Sequence, residues 1–271
     1  MDAERGPFYR SAVERLLGDG VLTPSSSVLV TCGGYLDRDV LQAAGLVDVT
    51  ITNLDDRLGE DAFAPYAWAH ADAEELPYAD GSFDWGLVSA GLHHCRSPHR
   101  AVLELYRVAR RGVLCVESRD SAAMRLASRA GLVDDFEVSA VAAHGLVAGG
   151  VANTAVPNYV YRWTEREFEK TISSNAPHAR HRFVYLRELG IPWSIVEAAG
   201  GVRARVLRAL APIAEGVVKV VPSQANLFAF AVVKLDGLQP WLRPGPAGPQ
   251  PDEDWIRRRY PVNDAARVSD A

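Results

Sequence analysis

Two adjacent histidines, His93 and His94, follow a short apolar stretch that ends at Ser89. Histidine titrates near neutral pH, so an imidazole at the end of a strand suits the role of general base toward a hydroxyl. Adjacent side chains diverge, and we therefore expect one of the two to face a site, with His94 favoured as the catalytic base and His93 as its neighbour. The alternative is that one of them caps the following turn or packs in the core.

A second polar group, formed by Glu117, Arg119 and Asp120, follows the apolar run 112–116. Glu117 or Asp120 could orient His94 or contact a polar substrate, and Arg119 could hold a substrate carboxylate or phosphate. The alternative is that these side chains form surface ion pairs that contribute little to stability. These residues lack the spacing of a metal-ligand set, so no metal is predicted.

A pair of glycines, Gly33 and Gly34, directly follows the β-branched apolar run 28–31. Such a turn lets a ligand approach the backbone and exposes the first amides of the next helix. Asp55 stands about twenty residues further on, where nucleotide-binding sheets place a carboxylate that accepts hydrogen bonds from ribose. An Asx turn or a helix cap is the alternative for Asp55. The G-x-G-x-x-G pattern is absent, which argues against a nicotinamide or flavin dinucleotide.

These side chains need a scaffold that brings the ends of several strands together. Apolar runs at 28–31, 47–52, 68–71, 83–89 and 112–117 alternate with helical patterns. This alternation predicts an α/β fold with a parallel sheet and right-handed crossovers. Ligands of such sheets lie beyond the carboxyl ends of the strands. The histidines, the glycine pair and the acidic residues all fall at those ends.

The chain resembles class I S-adenosylmethionine-dependent methyltransferases of the small-molecule branch in three stretches. These are ADAEELPYADGSFD at 71–84, SAGLHH at 89–94 and LYRVA at 105–109. The resemblance covers about residues 26–120. It implies a Rossmann-like, seven-stranded, mostly parallel sheet with helices on both faces and the last strand antiparallel. It also implies S-adenosylmethionine as cofactor, bound by Gly33 and Gly34 with the flanking Cys32 and Tyr35, by Asp55 at the ribose, by Asp72 and Ala73 at the adenine, and by Ser89.

The glycine turn departs from the pattern of that family. The first motif of the family usually carries an acid on strand one and a G-x-G-x-G turn, whereas residues 30–35 here are VTCGGY. Asp37 or Asp39 would then supply negative charge toward the cationic cofactor. The departure leaves two alternatives open: a non-catalytic, methyltransferase-like partner subunit, and a cofactor-bound enzyme of different chemistry, such as a cyclase or decarboxylase.

Residues 121–185 break the alternation of strands and helices, and we expect them to form a cap inserted between the core, 1–120, and its C-terminal part, 186–235. Asn158 and Tyr161 lie in a cap loop whose amides and rings suit a polar, ring-containing substrate such as a sugar. Anchoring of the insertion to the sheet is the alternative. Residues 216–221 and 227–234 are predicted as the two closing strands, and the proline-rich tail, 236–271, is expected to lack regular structure.

Composition restricts the class of partner. The 271 residues include 34 acidic and 29 basic side chains, which favours a small-molecule acceptor over nucleic acid. The three cysteines have no C-x-x-C spacing, and no stretch has the apolar length of a membrane span. We therefore expect a cytoplasmic enzyme that O-methylates a small polar metabolite, such as a sugar or natural-product intermediate. A homodimer formed through the cap is left open.

Overall fold

The computed structural model describes residues 2–57, 59–191, 193, 196–197 and 200–263. The strands are β1 (Ser27–Val30), β2 (Asp48–Asn53), β3 (Ala67–His70), β4 (Phe83–Ser89), β5 (Ala109–Ser118), β6 (Ala179–Glu188), β7 (Leu227–Leu238), β8 (Leu242–Gly245) and β9 (Gly248–Pro251). The α-helices are α1 (Asp2–Gly18), α2 (Tyr35–Ala43), α3 (Pro98–Val108), α4 (Ala122–Arg129), α5 (Val138–Ala143), α6 (Glu165–Asn175), α7 (Gly201–Val220) and α8 (Glu253–Arg257).

Seven strands form one sheet in the order β3-β2-β1-β4-β5-β7-β6. The first five strands of the chain are parallel, and β7 runs antiparallel to both of its neighbours. The predicted Rossmann-like, mostly parallel sheet is therefore confirmed. The strand order reverses between β1 and β4, and in sheets of this kind the loops that follow the two central strands open a crevice for a ligand.

Alternate residues of each strand enter two separate hydrophobic layers, one on each face of the sheet. In β1, Val28 and Val30 join the layer that contains side chains of α1 and α2, whereas Leu29 joins the layer of α3 and α6. Phe228 and Phe230 of β7 belong to the second layer as well. Helices thus cover both faces, as predicted, and burial on both faces explains why the strand sequences are continuously apolar.

The closing pair of strands differs from the prediction in one member. Residues 216–220 belong to helix α7, and the strand that pairs with β7 is β6, Ala179–Glu188. A short β-branched run such as GVVKVV does not distinguish a strand from a helix by its period alone. Strand β6 begins at Ala179, so the sheet resumes before residue 185, where the cap was predicted to end. Phe168 and Ile172 of α6 also pack into the second layer.

The proline-rich tail contains regular structure, contrary to the prediction. Strands β8 and β9 form an antiparallel hairpin, and the short helix α8 follows it. The rings of Trp241 and Trp255 lie 6.0 Å apart and join the hairpin to that helix. Proline is tolerated at the edge of a sheet, where its missing N–H need not bond to a partner strand.

Helix α7 spans 20 residues and keeps several apolar side chains exposed, among them Val202 and Ile213. Arginine side chains on the same helix interrupt its apolar sequence. Within the described ranges, no helix combines the length and the apolar character that crossing a bilayer requires.

Gly112 of β5 leaves no room for a side chain, and we predict that Gly112→Ala destabilises the fold. A Cβ at this position would lie 2.4 Å from the carbonyl oxygen of Val232 and 2.7 Å from the Trp85 ring. Overpacking of this kind lowers the free energy of unfolding by about 1–3 kcal/mol, which urea denaturation would measure. Gly216→Ala is the control, because a Cβ there meets nothing within 4 Å. Because Gly216 lies in the exposed interior of a helix, Gly216→Ala should raise the free energy of unfolding by roughly 0.5–1 kcal/mol. Equal effects of Gly112→Ala and Gly216→Ala on this free energy would contradict the packing argument.

Candidate functional site

A cavity of about 260 Å³ lies at the carboxyl ends of β1 to β4, covered by the segment 137–153. On the sheet side it is lined by Cys32, Asn53, Leu54, Asp55, Ala71, Asp72, Ala73, Glu74, Ala90, Gly91, His94 and Cys95. The covering segment contributes Glu137, Ala140, His144, Gly149, Gly150, Ala152 and Asn153. The core and the predicted cap therefore share one binding space.

Two side chains hold the loop that follows β1. The Asp37 carboxylate accepts the backbone N–H of Gly34 at 2.8 Å, and the Asn53 amide donates to the carbonyl of Gly33, also at 2.8 Å. Asp37 is buried and lies in the first turn of α2. These bonds order the turn in the absence of an acid on β1.

Cys32 adopts a backbone conformation that favours glycine, with φ of 53°. It packs tightly against Gly91 of the loop after β4, where a Cβ would lie 2.4 Å from that of Cys32. A hydrogen bond between the thiols of Cys32 and Cys95, together with burial, raises the pKa of Cys95. The side chain of Cys32 thus fills the gap between the β1 and β4 loops and forms part of the cavity wall.

The carboxylates of Asp55 and Asp72 lie on neighbouring loops of the cavity. Asp55 forms a two-pronged ion pair with Arg57, and its backbone N–H donates to the side chain of Asn53. The hydrogen bond from Arg57 lowers the pKa of Asp55, so this carboxylate is ionised at neutral pH. Asp72 accepts the N–H of Glu74 at 2.9 Å in an Asx turn. Asp55 likewise accepts the backbone N–H of Arg57 at 3.2 Å, so the Asx turn named as the alternative role for Asp55 is present at both aspartates.

The rings of the two histidines do not diverge as predicted, because their centroids lie 4.6 Å apart and both approach Glu137, but they differ in exposure. His93 is buried, with Nδ1 2.7 Å from a carboxylate oxygen of Glu117. The other oxygen of Glu117 accepts the backbone N–H of Leu92 at 2.7 Å. The side chain of His94 is 29% exposed and lines the cavity. Of the two imidazoles, His94 is therefore the one that a ligand in the cavity can touch.

Glu137, at the start of α5, faces both imidazoles. Its Oε2 lies 3.3 Å from Nε2 of His93 and 3.5 Å from Nε2 of His94. The buried amide of Asn158 donates to the same oxygen at 3.3 Å. Asn158, predicted as a substrate ligand, thus positions Glu137 from behind the cavity wall.

The charges of this group depend on one another. Burial alone would lower the pKa of His93, but the carboxylates of Glu117 and Glu137 outweigh it and raise this pKa to about 9. Burial alone would raise the pKa of Glu137, but its contacts with the histidines lower it to about 2. Burial and the charge of His93 lower the pKa of His94. The network therefore contains a charged His93 and a neutral His94 at neutral pH.

Several predicted site residues lie outside the cavity wall. Arg119 is paired with Glu165 at 2.7 Å, and Asp120 is paired with Arg125 at 2.8 Å, so their predicted roles toward a substrate and His94 stay predictions. The Tyr161 hydroxyl bonds to Glu167. The residues outside the wall are Gly33, Gly34, Tyr35, Ser89, His93, Glu117, Arg119, Asp120, Asn158 and Tyr161.

Gly33 and Ser89 have structural surroundings that differ from the expected ligand contacts. A Cβ on Gly33 would lie 2.6 Å from the side chain of Ile51, so glycine is needed here for packing against β2. The buried hydroxyl of Ser89 has no hydrogen-bond partner among the described residues. Their predicted roles in cofactor binding stay predictions.

Sequence reasoning missed Asn53, Glu74 and Glu137. Asn53 ends β2 two residues before Asp55, so its position at a strand end was a usable signal. Glu74 accepts the N–H groups of Arg96 and Ser97 and so connects the loop after β3 to the start of α3. Glu137 has no local motif, because only the folding of the cap brings it to the histidines.

Residues 30–116, about a third of the chain, match a family model described as a methyltransferase domain. No curated protein sequence matches the chain. The matched residues include the last residue of β1, all of β2 to β4, most of β5 and all of the cavity residues on the sheet side.

Solved structures share the fold at low sequence identity. The YcgJ protein of Bacillus subtilis is 14% identical with a TM-score of 0.51, covering 84% of this chain and 99% of that one. A Haloferax volcanii methyltransferase solved with the Trm112 activator is 13% identical with a TM-score of 0.51, covering 86% and 91%. The magnesium protoporphyrin IX methyltransferase of Synechocystis, solved with bound S-adenosylhomocysteine, is 13% identical with a TM-score of 0.50, covering 85% and 83%.

The sheet order, the cavity at the strand ends and the family match agree with one another. The structural neighbours share the fold, and the family model matches residues 30–116 to a methyltransferase domain. Residues 30–116 of this chain are therefore similar to a methyltransferase domain, and they lie in a sheet whose fold the solved methyltransferase structures share.

Proposed function

We propose that this enzyme methylates a hydroxyl group of a small polar acceptor, such as a sugar or a natural-product intermediate, with His94 as the general base. The observation that carries the proposal is that His94, Asp55 and Asp72 line the same cavity. Methyl transfer from a sulfonium is an in-line displacement, and its rate depends on aligning the acceptor atom with the methyl carbon. An acceptor in this cavity would lie beside both the cofactor-binding acids and the base.

The chemistry of the cavity wall fits a cationic nucleoside. The ionised Asp55 offers carboxylate oxygens to ribose hydroxyls, and Asp72 would hold the adenine amino group beside the backbone of Ala73. The lining also includes Glu74 and Glu137, so the wall carries four carboxylates. A negatively charged wall attracts a positively charged sulfonium.

Side chains of this protein would carry out deprotonation of the acceptor and exclusion of water. S-adenosylmethionine, when bound, supplies an electrophilic methyl group. His94 would accept the proton of the acceptor hydroxyl, since its ring reaches the cavity while His93 is buried beneath it. The segment 137–153 covers the cavity and limits the access of water that would otherwise compete as a nucleophile.

The lining favours an uncharged acceptor over a phosphate or a carboxylate. Among the described residues that form the wall there is no lysine or arginine, and Arg119 is paired with Glu165. The covering segment provides the imidazole of His144 and the amide of Asn153 instead. Neutral donors and acceptors of this kind suit hydroxyl-rich molecules.

The ribose role of Asp55 predicts that Asp55→Asn weakens the binding of S-adenosylhomocysteine. Hydrogen bonds to a charged group contribute about 1.5–3 kcal/mol, so the dissociation constant should rise roughly 10-fold to 100-fold. Isothermal titration calorimetry measures it directly. Asp56→Asn is the matched control, because Asp56 is the adjacent exposed carboxylate and lies outside the cavity wall. Equal affinities for Asp55→Asn and the unmodified chain would remove Asp55 from the cofactor site.

The proposed base predicts that His94→Gln slows methyl transfer about 10²-fold to 10⁴-fold, the usual contribution of a positioned base. Turnover is followed as the release of S-adenosylhomocysteine in the presence of a panel of sugars and hydroxylated aromatic compounds. Affinity for S-adenosylhomocysteine should change little, which separates catalysis from cofactor binding. His99→Gln removes an imidazole paired with Glu167 outside the cavity and should leave the rate unchanged. An undiminished rate for His94→Gln would exclude it as the base.

A further inference from the structure

We propose that His93, His94 and Glu137 bind one divalent transition-metal cation, which joins the covering segment to the sheet. One ligand atom from each of the three residues lies within 4.8 Å of the other two. The two histidines follow β4, and Glu137 comes from the segment that covers the cavity. A cation held by all three would therefore connect two parts of the chain that are distant in sequence.

The spacing of the three atoms suits coordination better than direct hydrogen bonding. Oε2 of Glu137 lies 3.3 Å and 3.5 Å from the two Nε2 atoms. Hydrogen bonds between an imidazolium and a carboxylate are usually shorter, about 2.7–2.9 Å. Ligands bound at about 2.1 Å around a tetrahedral cation are separated by roughly 3.4 Å. The observed separations match that edge length, and both imidazoles are directed toward the same carboxylate oxygen.

Two of the three ligands are each oriented by a neighbour of the kind found around metal centres. Nδ1 of His93 is 2.7 Å from Glu117, an arrangement that directs the opposite nitrogen toward a metal. The amide of Asn158 donates to the carboxylate of Glu137. Gly150 of the covering segment lies in the same cavity wall as His94. Glu117 and Asn158 thus fix two of the three ligands before any cation binds.

The ligand set selects the class of cation. Two imidazoles and one carboxylate suit first-row transition cations such as zinc, cobalt and iron(II). Magnesium and calcium prefer oxygen ligands and retain water. Three protein ligands leave at least one position for water or a ligand from the cavity, as in catalytic zinc sites.

The existence of the site does not depend on the proposed function, although its consequence for catalysis does. A cation and a proton use the same lone pair on Nε2 of each histidine, so binding of the cation displaces the proton that His93 carries in its absence. In the loaded enzyme, His94 would be a ligand, and the cation would lower the pKa of an acceptor hydroxyl bound at its open position. The role assigned above to His94 alone would then belong to the cation and its ligands together.

The test is a titration of chelator-treated protein, prepared without a histidine tag, with cobalt(II). Binding is followed by calorimetry and by the visible absorption of the coordinated ion. We expect one cobalt ion per chain and no binding of magnesium at the same concentration. His94→Gln and Glu137→Gln should each weaken cobalt binding more than 100-fold, because loss of an outer-shell partner alone costs about 10-fold to 100-fold. His99→Gln, which removes an imidazole paired with a carboxylate elsewhere, should bind cobalt like the unmodified chain.

Thermal unfolding provides a second measurement, because a cation that joins two segments stabilises the folded state. Cobalt should raise the melting temperature of the unmodified chain and of His99→Gln, but not that of His94→Gln. His94 is partly exposed, so this variant should fold. Cobalt affinity that is the same in His94→Gln and the unmodified chain would overturn the proposal. Titration of the same samples with S-adenosylhomocysteine distinguishes failure of the cation site from failure of the proposed methyl transfer.

Discussion

The buried carboxylate of Glu117 sets the geometry of the site. It ends β5 in a place with almost no solvent, where an unpaired charge would be very costly. Its two oxygens therefore bind the backbone of Leu92 and the ring of His93, which fixes the turn after β4. The remaining nitrogen of His93 faces Glu137, and that contact determines where the cap meets the sheet. The orientation of His94 follows from this turn.

The loop after β1 shows that one physical requirement can be met by different residues. A tight turn after β1 needs an acceptor for its exposed amide and a partner for its carbonyl. Here Asp37 on α2 and Asn53 on β2 provide them, and Cys32 occupies the left-handed position. The departure of this motif from the family pattern therefore changes the residues that order the loop while the loop itself stays ordered.

The sequence predicted the parts of the molecule that depend on local pattern. The five parallel strands and the positions of Asp55, Asp72 and His94 at their ends follow from apolar runs and turn residues. It could not predict Glu137 or the pairing of Arg119 with Glu165, because these contacts join residues far apart in the chain. The assignment of 216–221 to a strand is wrong for another reason. β-branched residues fit an exposed helix as well as a short strand when packing decides the outcome.

The wall of the cavity belongs to two segments, since Asp55 and Asp72 come from the sheet while His144 and Asn153 come from the covering segment. The amide of Asn153 also reaches the carbonyl of Leu54 on the opposite side. Any molecule that contacts both segments stabilises the state in which the covering segment packs against the sheet. Thermodynamic linkage then requires that binding on the sheet side and binding on the covering side strengthen each other by the same factor. Under the proposed function, selectivity among acceptors would then depend jointly on the covering segment and the bound cofactor.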